Sequence, residues 1–134
     1  QEFILAEYSG VLFTQSPYSK SEIYTEFVKG GAEPLVSGKV TPGSFTIGED
    51  GKLKENIRLP FDYKILLKKV LYLKGEFNKH LDIEWIYNEG EFYFVQARPI
   101  KNNEIPSTLA VWVKIAAQSL TWLTLPGVDE ISGL

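Results

Sequence analysis

The stretch that decides the fold is Asp82-Ile83-Glu84-Trp85-Ile86-Tyr87-Asn88-Glu89-Gly90-Glu91-Phe92-Tyr93-Phe94-Val95-Gln96-Ala97-Arg98. Two runs of β-branched and aromatic residues flank Glu89-Gly90, which reads as a β-hairpin. Side chains alternate along a strand, so Ile83, Trp85 and Tyr87 share one face and Asp82, Glu84 and Ile86 the other. On the return strand Tyr93, Val95 and Ala97 group together, opposed by Phe94, Gln96 and Arg98. A two-residue turn would hold Glu89 at positive φ, which a non-glycine residue resists. A three-residue loop, Asn88-Glu89-Gly90, with Gly90 in a G1 bulge is therefore expected. It places Asp82 opposite Gln96 and Glu84 opposite Phe94, with Gln96 diagonal. Asp82, Glu84, Gln96 and Arg98 then converge on one face, with Trp85 and Val95 buried on the other.

Two readings of that polar face stand side by side. One is a solvated sheet face with an Asp–Arg pair, as antiparallel sheets commonly present. The other is chemical. Carboxylates with an amide oxygen are hard ligands suited to Mg²⁺, which favours substrate phosphates as further partners. A guanidinium beside them suits phosphate oxygens.

Around the hairpin, 2–6 and then 9–14 read as extended chain broken at Ser9-Gly10. The segment 15–21 is turn-rich, Ile23 to Val28 is a strand, and Lys29 to Pro34 is a loop. From Val36 to Ile57 two short strands are expected around Glu49-Asp50-Gly51. Asp62 is placed to cap a helix whose apolar stripe is Tyr63, Leu66, Val70, Leu73 and Phe77. Residues 101–106 read as a polar linker. Ser107 is placed to cap a last helix running to about Leu123, where Pro126-Gly127 stops it. The hairpin–helix–hairpin order predicts an α+β fold with a mainly antiparallel sheet, a packed amphipathic helix and a C-terminal helix. The expected division is a domain over 1–101 and a linker with helical tail over 102–134.

Composition supports a globular domain. The chain has 134 residues, 44% hydrophobic and 23% charged, with net charge −3, which excludes collagen, coiled coil and long-range disorder. The acidic balance removes a basic nucleic-acid footprint. No cysteine is present, so thiolate chemistry and disulfides are excluded and a reducing, cytoplasmic setting fits. The apolar run from Leu109 to Leu125 carries Lys114 and Gln118 and is short for a membrane span, so no membrane partner is expected. The chain opens on Gln1 and holds no methionine, which predicts a processed chain or one cut from something longer. Val111, Trp112, Ile115, Trp122 and Leu123 are too apolar for a free linker. They are expected to pack on the domain or to form a homodimer contact.

Three motifs in order carry a resemblance. Asp82-Ile83-Glu84-Trp85 with Val95-Gln96-Ala97-Arg98-Pro99-Ile100 resembles the closing signature of the ATP-grasp domain of the phosphoenolpyruvate synthase and pyruvate phosphate dikinase family. Ser9-Gly10-Val11-Leu12-Phe13-Thr14 resembles an upstream strand of that domain. Glu33-Pro34-Leu35-Val36-Ser37-Gly38-Lys39-Val40-Thr41-Pro42 resembles the stretch after its glycine-rich loop. The resemblance spans residues 1 to about 101. It implies ATP with Mg²⁺ and phosphoryl transfer to a histidine of a separate swivelling domain, then to pyruvate or, in relatives, to a drug hydroxyl or a glucan.

By position, the resemblance implies Glu84 and Gln96 as metal ligands, Asp82 as a support of the same site, and Arg98 on the nucleotide phosphates. Thr14, Gln15 and Glu33 fall near the nucleotide, although Glu33 reads equally as a solvated loop acid. The chain departs from the family at Ala32, where a glycine is usual, and at Gln15, where arginine is common. These departures keep open a nucleotide-binding module without turnover. The partners implied are the first ATP-grasp lobe, which supplies a lysine and an arginine, and the phosphohistidine domain. His80 lacks the phosphohistidine context and is expected at a helix end, near the dipole's negative pole.

Overall fold

The computed structural model describes residues 6–19, 21–100 and 107–124, with side chains through 117. Five strands form one antiparallel sheet: β1 (Tyr8–Phe13), β2 (Ile23–Lys29), β3 (Gly43–Ile47), β4 (Leu81–Asn88) and β5 (Glu91–Pro99), in the order β3-β2-β1-β4-β5. Three helices accompany it: α1 (Glu33–Val36), α2 (Tyr63–Phe77) and α3 (Thr108–Thr124). The fold is α+β, as expected from the sequence.

Each face of the sheet has its own core. On one face Leu12, Phe45, Ile47, Ile83, Trp85 and Phe92 pack with Leu66 and Val70 of α2. Phe61, just before that helix, meets the rings of Tyr8, Phe27, Phe45, Trp85, Tyr87 and Phe92. On the other face Val11, Phe13 and Val28 pack with Ala32 and Leu35 of the α1 region and with Val111, Trp112, Ile115 and Ala116 of α3. The apolar tail therefore covers this chain's own sheet.

Helix boundaries follow local chemistry. The Asp62 carboxylate accepts from the Lys64 amide at 3.0 Å, the N-cap bond expected of it. Asn78 closes α2 in the left-handed region at φ 53°. The Ser107 hydroxyl accepts from the Ala110 amide at 3.1 Å and caps α3. Among the described residues no helix is long and apolar enough to cross a membrane. The linker 101–106, the side chains of Trp122 and Leu123, the stop at 126–127 and most of the first extended run lie outside what is described.

Four expectations are corrected. Ser9-Gly10 does not break the chain, because β1 runs through both. Lys29–Pro34 is not wholly loop, since α1 begins at Glu33 with Pro34 in its first turn. The hairpin around Glu49-Asp50-Gly51 has one strand, β3, and a single bridge, Ile47 to Leu53. The returning chain pairs briefly there, Lys54 donating its amide to the Thr46 carbonyl at 2.9 Å, and the Glu55 side chain accepts from the Thr46 amide at 2.7 Å.

The fourth correction concerns the β4–β5 hairpin. Its turn has two residues, Glu89 at φ 49° and Gly90 at φ 82°, the paired positive angles of a type I′ turn. Tyr87 then faces Phe92 and Trp85 faces Phe94. All four aromatics lie on the α2 side, so Phe94 does not share the polar face. The register shifts between Glu84 and Trp85, leaving Val95 as the extra, half-buried residue of a bulge. Beyond the bulge Glu84 faces Gln96, Ile83 faces Ala97 and Asp82 faces Arg98. Burying four rings on one face outweighs the cost of about 1–2 kcal/mol for Glu89 in the left-handed region.

Candidate functional site

The register builds a polar surface on the α3 side of the sheet. Val11 of β1 pairs with Glu26 of β2 and with Glu84 of β4. Glu26 pairs outward with Ser44, and Glu84 with Gln96. One row across the sheet is therefore Ser44, Glu26, Val11, Glu84, Gln96. The next row is Thr46, Tyr24, Phe13, Asp82, Arg98. Asp82, Glu84, Gln96 and Arg98 share one face, as the sequence reading required, although turn and bulge replace the expected loop.

Arg98 Nε lies 3.5 Å from Asp82 Oδ1, a loose ion pair. That Nε is buried and has no hydrogen-bond partner among the described residues. Glu84 and Gln96 make no side-chain hydrogen bond there either, so their oxygens are unspent. Burial is the main cause that pushes the Glu84 carboxyl up, to about 7; Arg98 opposes the rise and the Asp82 charge adds to it. Burial also raises Asp82, held back by Arg98 and then by Lys114. The acids are thus under-compensated by the protein's own cations.

The donor set is two carboxylates and one amide oxygen. Among the described residues no group of three or more His, Cys, Asp or Glu side chains gathers. Such a set fits a hard divalent cation that keeps water and phosphate oxygens in its shell, and does not fit an all-protein cage.

The remaining sequence candidates are placed elsewhere. The Thr14 hydroxyl accepts from the Leu81 amide at 2.8 Å and lies 3.2 Å from His80 Nδ1. Burial, then the Lys74 charge, lowers His80. His80 lies two residues past Asn78, the C-cap of α2, the helix end expected of it. Gln15 is 5% exposed and its Oε1 has no partner among the described residues. Glu33 is exposed on α1 and makes no bond to the cluster.

Two contributors escaped the sequence reading. Glu26 accepts from the Trp112 indole at 3.0 Å and from the Tyr24 hydroxyl at 2.7 Å, pinning α3 to the sheet. Its alternation with Tyr24 along β2 was the available signal. Lys114, noted before only as a charge in an apolar run, acts on Asp82 from α3.

Fold and face together define an antiparallel α+β domain with one acid-bearing face walled by a helix. The chain is similar to three archaeal proteins called "Probable phosphoenolpyruvate synthase". It is 30% identical to that of Methanocaldococcus jannaschii, 32% to that of Archaeoglobus fulgidus and 31% to that of Methanothermobacter thermautotrophicus, in each case over 75% of this chain. It spans 11%, 17% and 19% of their lengths, respectively. These likenesses support the phosphoenolpyruvate synthase family as its kin. No family model matches the chain.

Proposed function

We propose that this chain is the part of a phosphoenolpyruvate-synthase-like phosphotransferase that presents the Mg·ATP-facing sheet of an ATP-grasp domain. The observation that carries this reading is the convergence of Asp82, Glu84, Gln96 and Arg98 on one face, with Glu84 driven up to about 7. Partly buried acids short of positive charge gain most from a divalent cation.

Glu84 and Gln96 would hold the Mg²⁺, which when bound supplies positive charge to the phosphate oxygens. Asp82 holds the Arg98 guanidinium at its buried Nε, and the exposed remainder of that guanidinium would meet the phosphate oxygens. The hydrophobic floor of Val11 and Phe13 excludes water beneath these groups. In this reading the longer protein passes the γ-phosphoryl group to a histidine of another domain and from there to pyruvate. The adenine clamp, the histidine and the acceptor site come from outside these residues, in a cytoplasmic enzyme.

Titration of the chain with Mn²⁺·ATP, followed by the electron spin resonance of free Mn²⁺, tests the assignment. Binding weaker than micromolar is expected, since half of the clamp is absent, and Glu84→Gln should abolish it. Binding that survives Glu84→Gln would overturn the metal assignment. ATP hydrolysis by the chain, if abolished by Glu84→Ala, would overturn its dependence on a second lobe.

A further inference from the structure

Helix α2 ends beside a cleft of about 420 Å³, lined by Leu71, Lys74, Gly75, Asn78, Lys79 and His80. That volume suits a small organic molecule. None of Asp82, Glu84, Gln96 and Arg98 lines it. Its charge is one-sided. Lys74 and Lys79 close no ion pair among the described residues. The one acid of α2, Glu76, is engaged elsewhere, accepting from the Tyr72 hydroxyl at 3.1 Å. His80 has its Nδ1 3.2 Å from the Thr14 hydroxyl, and its other ring nitrogen makes no hydrogen bond among the described residues. The Lys74 charge is felt at that ring: second to burial, it lowers His80. The half-charge at the C-terminal end of α2 offsets only part of the two ammoniums and leaves the cleft positive.

Gly75 is the second observation. Glycine is costly inside a helix, because its backbone has the most freedom to lose. A Cβ at Gly75 would meet nothing within 4 Å, so no neighbour's packing requires glycine there. What the missing side chain leaves is open floor between Lys74 and Asn78. One turn earlier stands Leu71, 51% exposed, an apolar wall to the same cleft. We propose that the cleft binds a small organic phosphate, with its dianionic head between the Lys74 and Lys79 ammoniums and its carbon body against Leu71, over the bare backbone of Gly75. Two ammoniums match the charge of a phosphate monoester, about −1.5 to −2 at neutral pH. A monocarboxylate would leave one of them unmatched. Asn78 on the rim carries a carboxamide with two further N–H donors. The cleft needs no metal ion and stands apart from the acid-bearing face.

Glycerol 3-phosphate is the probe, titrated into the ¹⁵N-labelled full chain at constant ionic strength and followed by the amide resonances. The amides of Gly75, Asn78, Lys79 and His80 should shift together and saturate at millimolar ligand. Lys74→Gln should weaken binding about three- to tenfold, the range for removing one unit charge a few ångströms away in a largely aqueous setting. Lys64→Gln, an exposed lysine in the first turn of α2, should leave affinity unchanged. Gly75→Leu should fill the cleft and abolish saturation, while its melting temperature stays at or above that of the unsubstituted chain, since leucine favours helix. Inorganic phosphate should bind more weakly than glycerol 3-phosphate, because it has no carbon body to set against Leu71. Absence of a saturable shift at these four amides overturns the proposal, and so does binding that survives Gly75→Leu. Equal losses in Lys64→Gln and Lys74→Gln would reduce the effect to a diffuse field of lysines and overturn it as well. Shifts confined to Gln96 and Arg98 would put the phosphate on the acid-bearing face instead. Inorganic phosphate binding as tightly as glycerol 3-phosphate would overturn the role of Leu71 and with it the organic ligand.

Discussion

Gly10 lies beneath the indole of Trp85, its direct partner across the β1–β4 ladder. A Cβ at Gly10 would come 2.1 Å from Cε2 and Cζ2 of that ring. The ring cannot move aside easily, because its Nε1–H donates to Thr25 Oγ1 at 3.2 Å, and Thr25 in turn donates to the Val11 carbonyl at 2.7 Å. Gly10→Ala should therefore cost about 3 kcal/mol in denaturant unfolding, the upper range for an overpacked core. Glu84 gives the opposite sign. Its carboxyl is raised to about 7 in the folded chain against 4.5 as the ordinary value. The stability tied to its protonated form is present below the ordinary value and is lost as pH rises to about 7. Partial exposure reduces the full effect to about 1–3 kcal/mol. Glu84→Gln should remove that loss, so that chemical denaturation at pH 8 finds the variant more stable than the unsubstituted chain. The acid's cost to stability fits a residue placed for a cation.

At the scale of elements, the β4–β5 hairpin shows a conflict between local and tertiary preference. Glu89 at φ 49° is locally unfavourable and Gly90 at φ 82° is locally suited. Glu89→Asn should stabilise the fold by about 0.5–1 kcal/mol, since asparagine tolerates the left-handed region. Gly90→Val should cost more than that gain, and thermal melts of the two variants should move in opposite directions. Within each strand the polar residues were legible from alternation, Asp82 with Glu84 and Gln96 with Arg98. The pairing of the two strands was not, since turn and bulge each shift the register by one residue and their effects on facing cancel at Gln96. Caps were legible for the same reason of locality: Asp62 and Ser107 bond to amides two and three residues away.

For the whole molecule, the sheet separates an apolar core under α2 from a mixed face under α3. Ala32, where the resembled family usually has glycine, is 5% exposed and packs in the cluster with α3. In this chain that methyl serves helix docking. Trp112→Ala should remove both a buried ring and the bond to Glu26. A loss of about 3–5 kcal/mol in stability is expected, measurable by urea unfolding. A tail that merely hung from the domain would lose nothing.

The sequence by itself determined the α+β class, the two hairpin strands, the caps of α2 and α3, and the shared face of Asp82 with Glu84 and of Gln96 with Arg98. These follow from alternation, helical spacing and short-range hydrogen bonding, which act over a few residues. Only the tertiary structure decided that Trp85 overlies Gly10, that Thr14 is committed to Leu81 and His80, and that α3 returns to the acid-bearing face. The Trp85–Thr25 and Trp112–Glu26 bonds behind them join residues 60 and 86 positions apart. They depend on which rings fill which side of the sheet, a choice made by packing the whole core at once.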